Sequence, residues 1–474
     1  MLDISLEKMR LKKYLFILLL FLSLILVTCT SPPPQPTTIA PAKDTPLTIW
    51  WNRGYYVQQD EALEQVVNQW QAAAAKGKNQ RKSEVKLFFY SEDDLVNQII
   101  KALEEGNLPD ILFSERTDFT LGPVWAWEGK LADVSDVIEP VQDFYTSSAI
   151  TSVYLYNNVA KKRAYYAVPL MQQTIHIHYW RELLRNAGVT EEIPQEWDGF
   201  WKFWQQAQDT LRKQGQKDIY GIGLPMSADS SDTYFAFEQA LEAYDVQILD
   251  EKGKLLLDNP KVRQGLITTL KWFISFYDKG YVPPTAVDWL NADNNTAFLN
   301  HTVLMTLNPS LSIPGSQRED EDIYRNQIAT IEFPQEPDGE PAKYFVSVKQ
   351  AVIFAAAKNQ EAAKDFLSYL VQLENLGPYV KGAAGRYFPV MPQLWEDSFW
   401  QEPDDPHVSV AAKQFTKGST RPIYQTLNPA YSLVQSENVW GKAIERVIVD
   451  GLSPEEAADE AINRINKIFA EWDH

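Results

Sequence analysis

The chain has 474 residues, with 63 acidic against 44 basic side chains for a net charge of −19, 45% hydrophobic residues and 12% aromatic ones. The length calls for two or three compact units. The hydrophobic share excludes wholesale disorder, and the acidity excludes binding to a nucleic-acid backbone, which needs a dense Lys/Arg surface. A single cysteine excludes both a disulfide framework and a Cys-rich zinc cluster. The 15 Trp, 22 Tyr and 22 Phe are more than a core obviously needs.

The first segment accounts for the cysteine. Lys8, Arg10, Lys12 and Lys13 precede an apolar run from Tyr14 to Val27, broken only by Ser23. The run is too short to span a bilayer, which takes about 20 residues, but it suits the apolar part of a secretory signal. It ends at Leu26-Val27-Thr28-Cys29, which resembles the bacterial lipoprotein signal, although Thr28 stands where Gly, Ala or Ser is usual. Residues 1–28 are thus read as a signal peptide and Cys29 as the lipidated residue. Their removal takes away four basic and two acidic side chains and leaves the body more negative. Residues 29–46 carry six prolines among Thr repeats, the composition of an extended tether.

From Leu47 the segments alternate. Leu47–Trp51 and Val85–Tyr90 are β-branched and aromatic runs read as strands. Gln58–Ala75 and Asp94–Glu105 have helical apolar spacing, and Pro109–Phe113 is a third strand. Strand, helix, strand, helix, strand implies parallel strands with helical crossovers, and ligands in such sheets sit beyond the strands' carboxyl ends. Tyr165–Trp180 reads as two extended pieces joined near Leu170–Gln173. Helices are expected at Trp197–Arg212, Thr233–Tyr244, Val262–Tyr277, Ala292–Leu299, Glu361–Gln372 and Pro454–Trp472. Strands are expected at Tyr220–Leu224, Thr302–Leu307 and Tyr344–Ala356.

The order of these pieces resembles the bacterial extracellular solute-binding proteins of family 1, which include the maltose-binding and other sugar-binding lipoproteins of ABC importers. The stretches that carry the resemblance are Leu47–Asn52, Leu108–Ser114, Tyr166–Pro169, Phe298–Pro309, Phe345–Leu370 and Gly451–Ala458. Two departures stand out. Ala243-Tyr244-Asp245 replaces a common Gly pair and puts Tyr244 and Asp245 near a possible ligand edge. Asn300-His301 replaces a common Gly, where Asn300 can take the left-handed turn.

The resemblance implies an α/β, type II periplasmic-binding-protein-like fold of two lobes, each a mostly parallel sheet flanked by helices. It assigns residues 47–168 plus 331–375 to the N-terminal lobe and 169–330 plus 376–474 to the C-terminal lobe. The hinge crossings fall near Val168–Gln173, Ile328–Pro334 and Asn375–Tyr379. It also implies a carbohydrate held between the lobes and delivered to ABC permease subunits, with no catalysis, cofactor or metal. The protein would be an exported monomer, touching the membrane only through its lipid anchor, on the outer face of the cytoplasmic membrane or in the periplasm.

Sugar rings pack their C–H faces on aromatic rings and need planar donors and acceptors for their hydroxyls. Trp50, Trp51, Asn52 and Tyr55 follow the first strand, and Glu115, Arg116 and Asp118 the third. Gln172 and Gln173 fall at the hinge, Asp232 and Tyr234 at the start of a helix, Asn308 at a strand end, and Arg386 and Tyr387 in a Gly-flanked loop. Strand neighbours face opposite ways, so at most one of Trp50 and Trp51 meets a ligand. Trp197, Trp201 and Trp204 form a packing stripe. His176 and His178 share a strand face without a third metal ligand at a suggestive spacing, and read as a hydrogen-bonded pair. Two other readings stay open: a cleft for a cation such as a polyamine, built from carboxylates and aromatics, and a surface-anchored glycan hydrolase with two carboxylates roughly 5–10 Å apart.

Overall fold

The computed structural model describes residues 45–76 and 84–472. The expected signal peptide, the expected lipidation site at Cys29 and almost all of the expected tether lie outside them. The chain opens with β1 (Leu47–Asn52), α1 (Val57–Lys76), β2 (Val85–Tyr90), α2 (Glu92–Glu105) and β3 (Ile111–Phe113). Ser91 caps α2 by accepting the Asp94 N–H at 3.2 Å, and Gly106 ends it at φ +69°, so the crossover turns back where the sequence predicts. A hairpin of β4 (Tyr154–Asn157) and β5 (Lys162–Tyr165) leads to β6 (Val168–Gln173) and β7 (His176–Trp180).

Next come α3 (Trp197–Lys213), β8 (Tyr220–Gly223), α4 (Ser231–Ala243), α5 (Pro260–Asp278), β9 (Val303–Asn308) and β10 (Ile328–Ile331). The long strand β11 (Lys343–Ile353) is followed by α6 (Gln360–Leu370), α7 (Leu373–Gly382) and β12 (Phe388–Pro389). The chain closes with α8 (Val408–Thr416), β13 (Ser419–Pro422), α9 (Tyr431–Ser436), α10 (Val439–Ile448) and α11 (Pro454–Trp472).

Among the described residues the strands form two principal sheets. One has the order β12-β6-β11-β3-β1-β2, with β13 beside β11; the other has β10-β7-β9-β8. β1 is parallel to β2 and β3, as the crossovers require. β11 runs against β3 and β6, and β7 against β9 and β10. The sheets are therefore mixed, not mostly parallel.

Two separate cores match the two sheets. The first draws on residues 47–171 and 346–412, joined by Leu311, and covers both faces of its sheet. The second draws on residues 175–345 and 423–469. Three passages join them. The first is at Thr174–Ile175, just beyond the expected stretch. The second, expected near Ile328–Pro334, lies instead inside β11, where Phe345 belongs to one core and Val346 to the other, because Ile328–Ile331 is β10 of the second sheet and residues up to 345 pack in the second core. The third was expected at 375–379, but those residues are helical in α7, with Leu376 and Tyr379 buried in the first core. The passage falls instead at 417–422, where β13 pairs with β11. Residues 376–412, expected in the second lobe, accordingly pack in the first.

Candidate functional site

The carboxyl ends of β1 and β3 are knitted together by a side chain. The Asn52 amide oxygen accepts the Glu115 N–H at 2.6 Å, which fixes the segment leaving β3 over the end of β1. That segment continues into a π-helical turn, Thr117–Leu121, which packs against α9 of the other lobe. The candidate site lies along this junction and holds two polar groups.

The first group centres on Arg386. Its guanidinium lies 5.0 Å from the centroid of the Tyr55 ring and 5.6 Å from that of Tyr387, both within cation–π reach. Glu115 stands 3.6 Å away as its ion-pair partner, and the buried Arg386 Nε has no protein acceptor. Across the junction, at the start of α4, Asp232 feels the same guanidinium. Burial pushes the Asp232 carboxyl up to about 7, while Arg386 and Asn294 pull it back. Burial and the Glu115 carboxylate hold the Tyr387 phenol well above its ordinary value. Tyr55 is 55% exposed and lies edge-on to Tyr56 at 5.0 Å. The Tyr56 hydroxyl reaches Gly315 of the second lobe, and Arg318 crosses back to donate to the Ala384 carbonyl at 2.9 Å. A glycine at 315 leaves that hydroxyl its place; a Cβ there would collide with it.

The second group centres on Asp118. Its carboxylate pairs with Lys349 at 3.3 Å and accepts from the Ser347 hydroxyl. Lys349 also donates to the Glu115 carbonyl at 2.8 Å. Burial raises the Asp118 carboxyl, opposed by Lys349 and Ser347. Between the groups and the hinge, Gln173, Phe235, Pro309 and Phe345 border a void of about 10 Å³, room for roughly one water. A wider groove of about 440 Å³, at Gly188, Gln206 and Lys213, lies on the outer side of α3 and touches none of these residues.

Tyr55, Glu115, Asp232 and Arg386 lie together, with Tyr387 reaching them from the first core, whereas other candidates serve elsewhere. Trp51 is wholly buried, stacked on Phe113 at 4.6 Å and donating to the Tyr379 hydroxyl at 2.9 Å, so it is core and no ligand platform. Trp50, on the other face, packs against Tyr90. Arg116 pairs with Glu92 and Asp93 at the start of α2. The buried Gln172 amide donates to the Pro389 carbonyl at 2.6 Å. Asn308 caps its own turn through Ser310, and Tyr234 hydrogen-bonds Glu238 inside the second core.

Tyr244 packs on Trp197 and Trp272, away from the junction. The left-handed residue of the 300–301 turn is His301, at φ +58°, stacked on Trp180; Asn300 is ordinary at φ −85°. His176 and His178 are buried, on Gln414 and on Thr330 and Ser310, and burial takes His176 down to about 4. Among the described residues no cluster of His, Cys, Asp and Glu could hold a metal ion.

Residues 65–409 match the sequence family of bacterial extracellular solute-binding proteins. This chain belongs to that family. An arabinooligosaccharide-binding protein of Halalkalibacterium halodurans is 22% identical over 324 residues, 67% of this chain and 66% of that protein. An ABC transporter solute-binding protein of Thermotoga lettingae, solved with alpha-D-tagatose, superposes with a TM-score of 0.69 at 19% identity. That match covers 90% of this chain and all of the other. UgpB of Mycobacterium tuberculosis, solved with glycerophosphocholine, superposes at 0.68 with 18% identity, over 91% and 100%. The architecture is therefore the two-lobed type II solute-binding fold, and the solute-binding site of such a chain is sought where its lobes meet.

Sequence reasoning missed Lys349, Ser347 and Arg318. A signal for Lys349 was present: it interrupts the apolar run Phe345–Ile353, where a cation on a central strand needs a partner.

Proposed function

We propose that this chain is the extracytoplasmic binding protein of an ABC importer, capturing a carbohydrate between its lobes and passing it to permease subunits without catalysis. The observation that carries the reading is the Arg386 group. The exposed Tyr55 ring stands beside the guanidinium, with carboxylates supplied from both lobes, so a ring for C–H faces stands beside donors and acceptors for hydroxyls, while Tyr387 holds the guanidinium from within the first core. The arabinooligosaccharide-binding relative and the tagatose-bound neighbour support the choice of solute. Arg386 in the centre of the group disfavours a polyamine, since a cationic solute would meet a fixed cation there.

The reading also places the protein outside the cytoplasm, held through acylated Cys29 on a proline-rich leash. Among the described residues no helix is long and apolar enough to cross a membrane. Mass spectrometry of the membrane fraction checks the anchor: Cys29→Ser should abolish the acylated N-terminal peptide and release the protein.

A thermal-shift screen with glucose, D-tagatose, arabinotriose, maltotriose, spermidine and glycerophosphocholine tests the solute. A bound sugar at about 100 times its dissociation constant adds roughly 2.7 kcal/mol of stability. A shift with spermidine or glycerophosphocholine and with no sugar overturns the carbohydrate assignment, and turnover of a sugar overturns the absence of catalysis.

A further inference from the structure

The Asp118–Lys349 pair is fully internal. Each side chain is 2% exposed. Asp118 spends its oxygens on Lys349 and Ser347, and Lys349 spends protons on Asp118 and on the Glu115 carbonyl. Neither offers a free atom to a solute, so the chemistry expected of Asp118 from its place after β3 is not the chemistry it performs.

What the pair does follows from where its two halves are attached. Lys349 and Ser347 stand on β11, the strand that leaves one core for the other at Phe345–Val346. Their side chains point to the same face, as residues two apart in a strand do. Beside Lys349 the pairing of β11 with β6 slips by one residue. Asp118 and Glu115 stand on the segment that faces the second lobe. Lys349 Nζ lies 4.8 Å from the centroid of Phe119. Phe119 meets Phe235 of α4 edge-on at 6.0 Å, and Phe235 stacks on Phe345 of β11 at 5.9 Å. The contacts form a closed circuit that leaves β11 at Lys349, crosses the lobe junction and returns to β11 at Phe345. Buried ion pairs can often be replaced by apolar residues of similar volume without loss of stability, so stability alone does not account for this one.

We infer that Lys349 and Asp118 are positioning residues of the solute site: an internal ion pair that ties residues 114–121 to the hinge strand. Through it the setting of β11 fixes Glu115, and with it Arg386, and also the face of the Thr117–Leu121 turn that meets α4 and α9. The inference rests on the solute-binding reading above.

The test compares wild type with Lys349→Met/Asp118→Asn, which leaves no lone buried charge. The readouts are titration calorimetry with D-tagatose, arabinotriose and maltotriose, and amide hydrogen exchange of the ligand-free protein. Expected are a tenfold or greater loss of affinity, a melting temperature within a few degrees of wild type, and faster exchange in both 115–121 and 431–436. Unchanged affinity, or faster exchange confined to 115–121, overturns the positioning role. If wild type binds none of the sugars, the carbohydrate reading fails by itself and the exchange pattern alone decides the strut. If the double variant does not fold, Ser347→Ala carries the test: about a threefold loss of affinity supports the role, and wild-type affinity with wild-type exchange at 431–436 overturns it.

Discussion

The two polar groups at the lobe junction use the same chemistry to different ends. Arg386 and Glu115 keep 23% and 14% of their side chains exposed, draw partners from both lobes and leave Nε without an acceptor. Lys349 and Asp118 are buried within one lobe, and every charged atom has a protein partner. The first group can exchange its contacts for those of a solute; the second cannot without unfolding its turn. Burial and the count of satisfied atoms, not residue type, separate recognition from support.

Four substitutions probe that separation. The largest effect is expected for Lys349→Met alone, which strands a buried carboxylate and should cost roughly 3–5 kcal/mol in urea unfolding. A cost under about 1 kcal/mol would mean that Asp118 is neutral or hydrated and that the contrast fails.

Asp232→Asn comes next and works through pH. With the folded carboxyl at about 7 against an unfolded value of roughly 3.9, the folded state holds its proton longer, so wild-type stability falls as pH rises from about 4 to 7. The Asn variant should be more stable above pH 7 by roughly 2–4 kcal/mol. That gap should narrow below pH 7 and vanish near pH 4. A gap constant across this range would place Asp232 in water.

Arg386→Ala should weaken saccharide binding by about 1.5–3 kcal/mol, the range of hydrogen bonds to a charged group, while shifting the melting temperature by only a few degrees. If stability falls and affinity holds, Arg386 is a strut like Lys349. Tyr55→Ala, which removes one exposed ring, should cost binding about 0.5–1 kcal/mol in the same titration; a loss as large as that of Arg386→Ala would make the rings the dominant contact.

The contrast also marks what the sequence could reveal. β1, β2 and β3 with their helices were legible because β-branched runs and helical apolar spacing act locally, and Ser91 and Gly106 punctuate α2. Arg386 was legible because Arg and Tyr in a Gly-flanked loop matched the chemistry of a sugar site, although Tyr387 and Phe388 themselves pack in the first core. The fate of Asp118 was not legible: the residue that neutralises it lies 231 positions later in the chain. The third passage was missed for a related reason. Ser419–Pro422 is short, polar and half-exposed, and is a strand only because β11 lies beside it. Trp51 and Trp50 could be assigned opposite faces from alternation alone, but that Trp51 is sealed in depends on Phe113 and Tyr379, contributed by other segments.

The division of β11 between two cores also dictates an order of assembly. In the first lobe's sheet β11 lies between β6 and β3, so until residue 353 is made both neighbours present bare edges, the kind that pairs with other chains. Both cores then still wait for later residues, the first up to 412 and the second up to 469. A chain cut short before β11 should therefore aggregate through its N-terminal half, and a chaperone guarding this protein during export would be needed first on the part synthesised earliest.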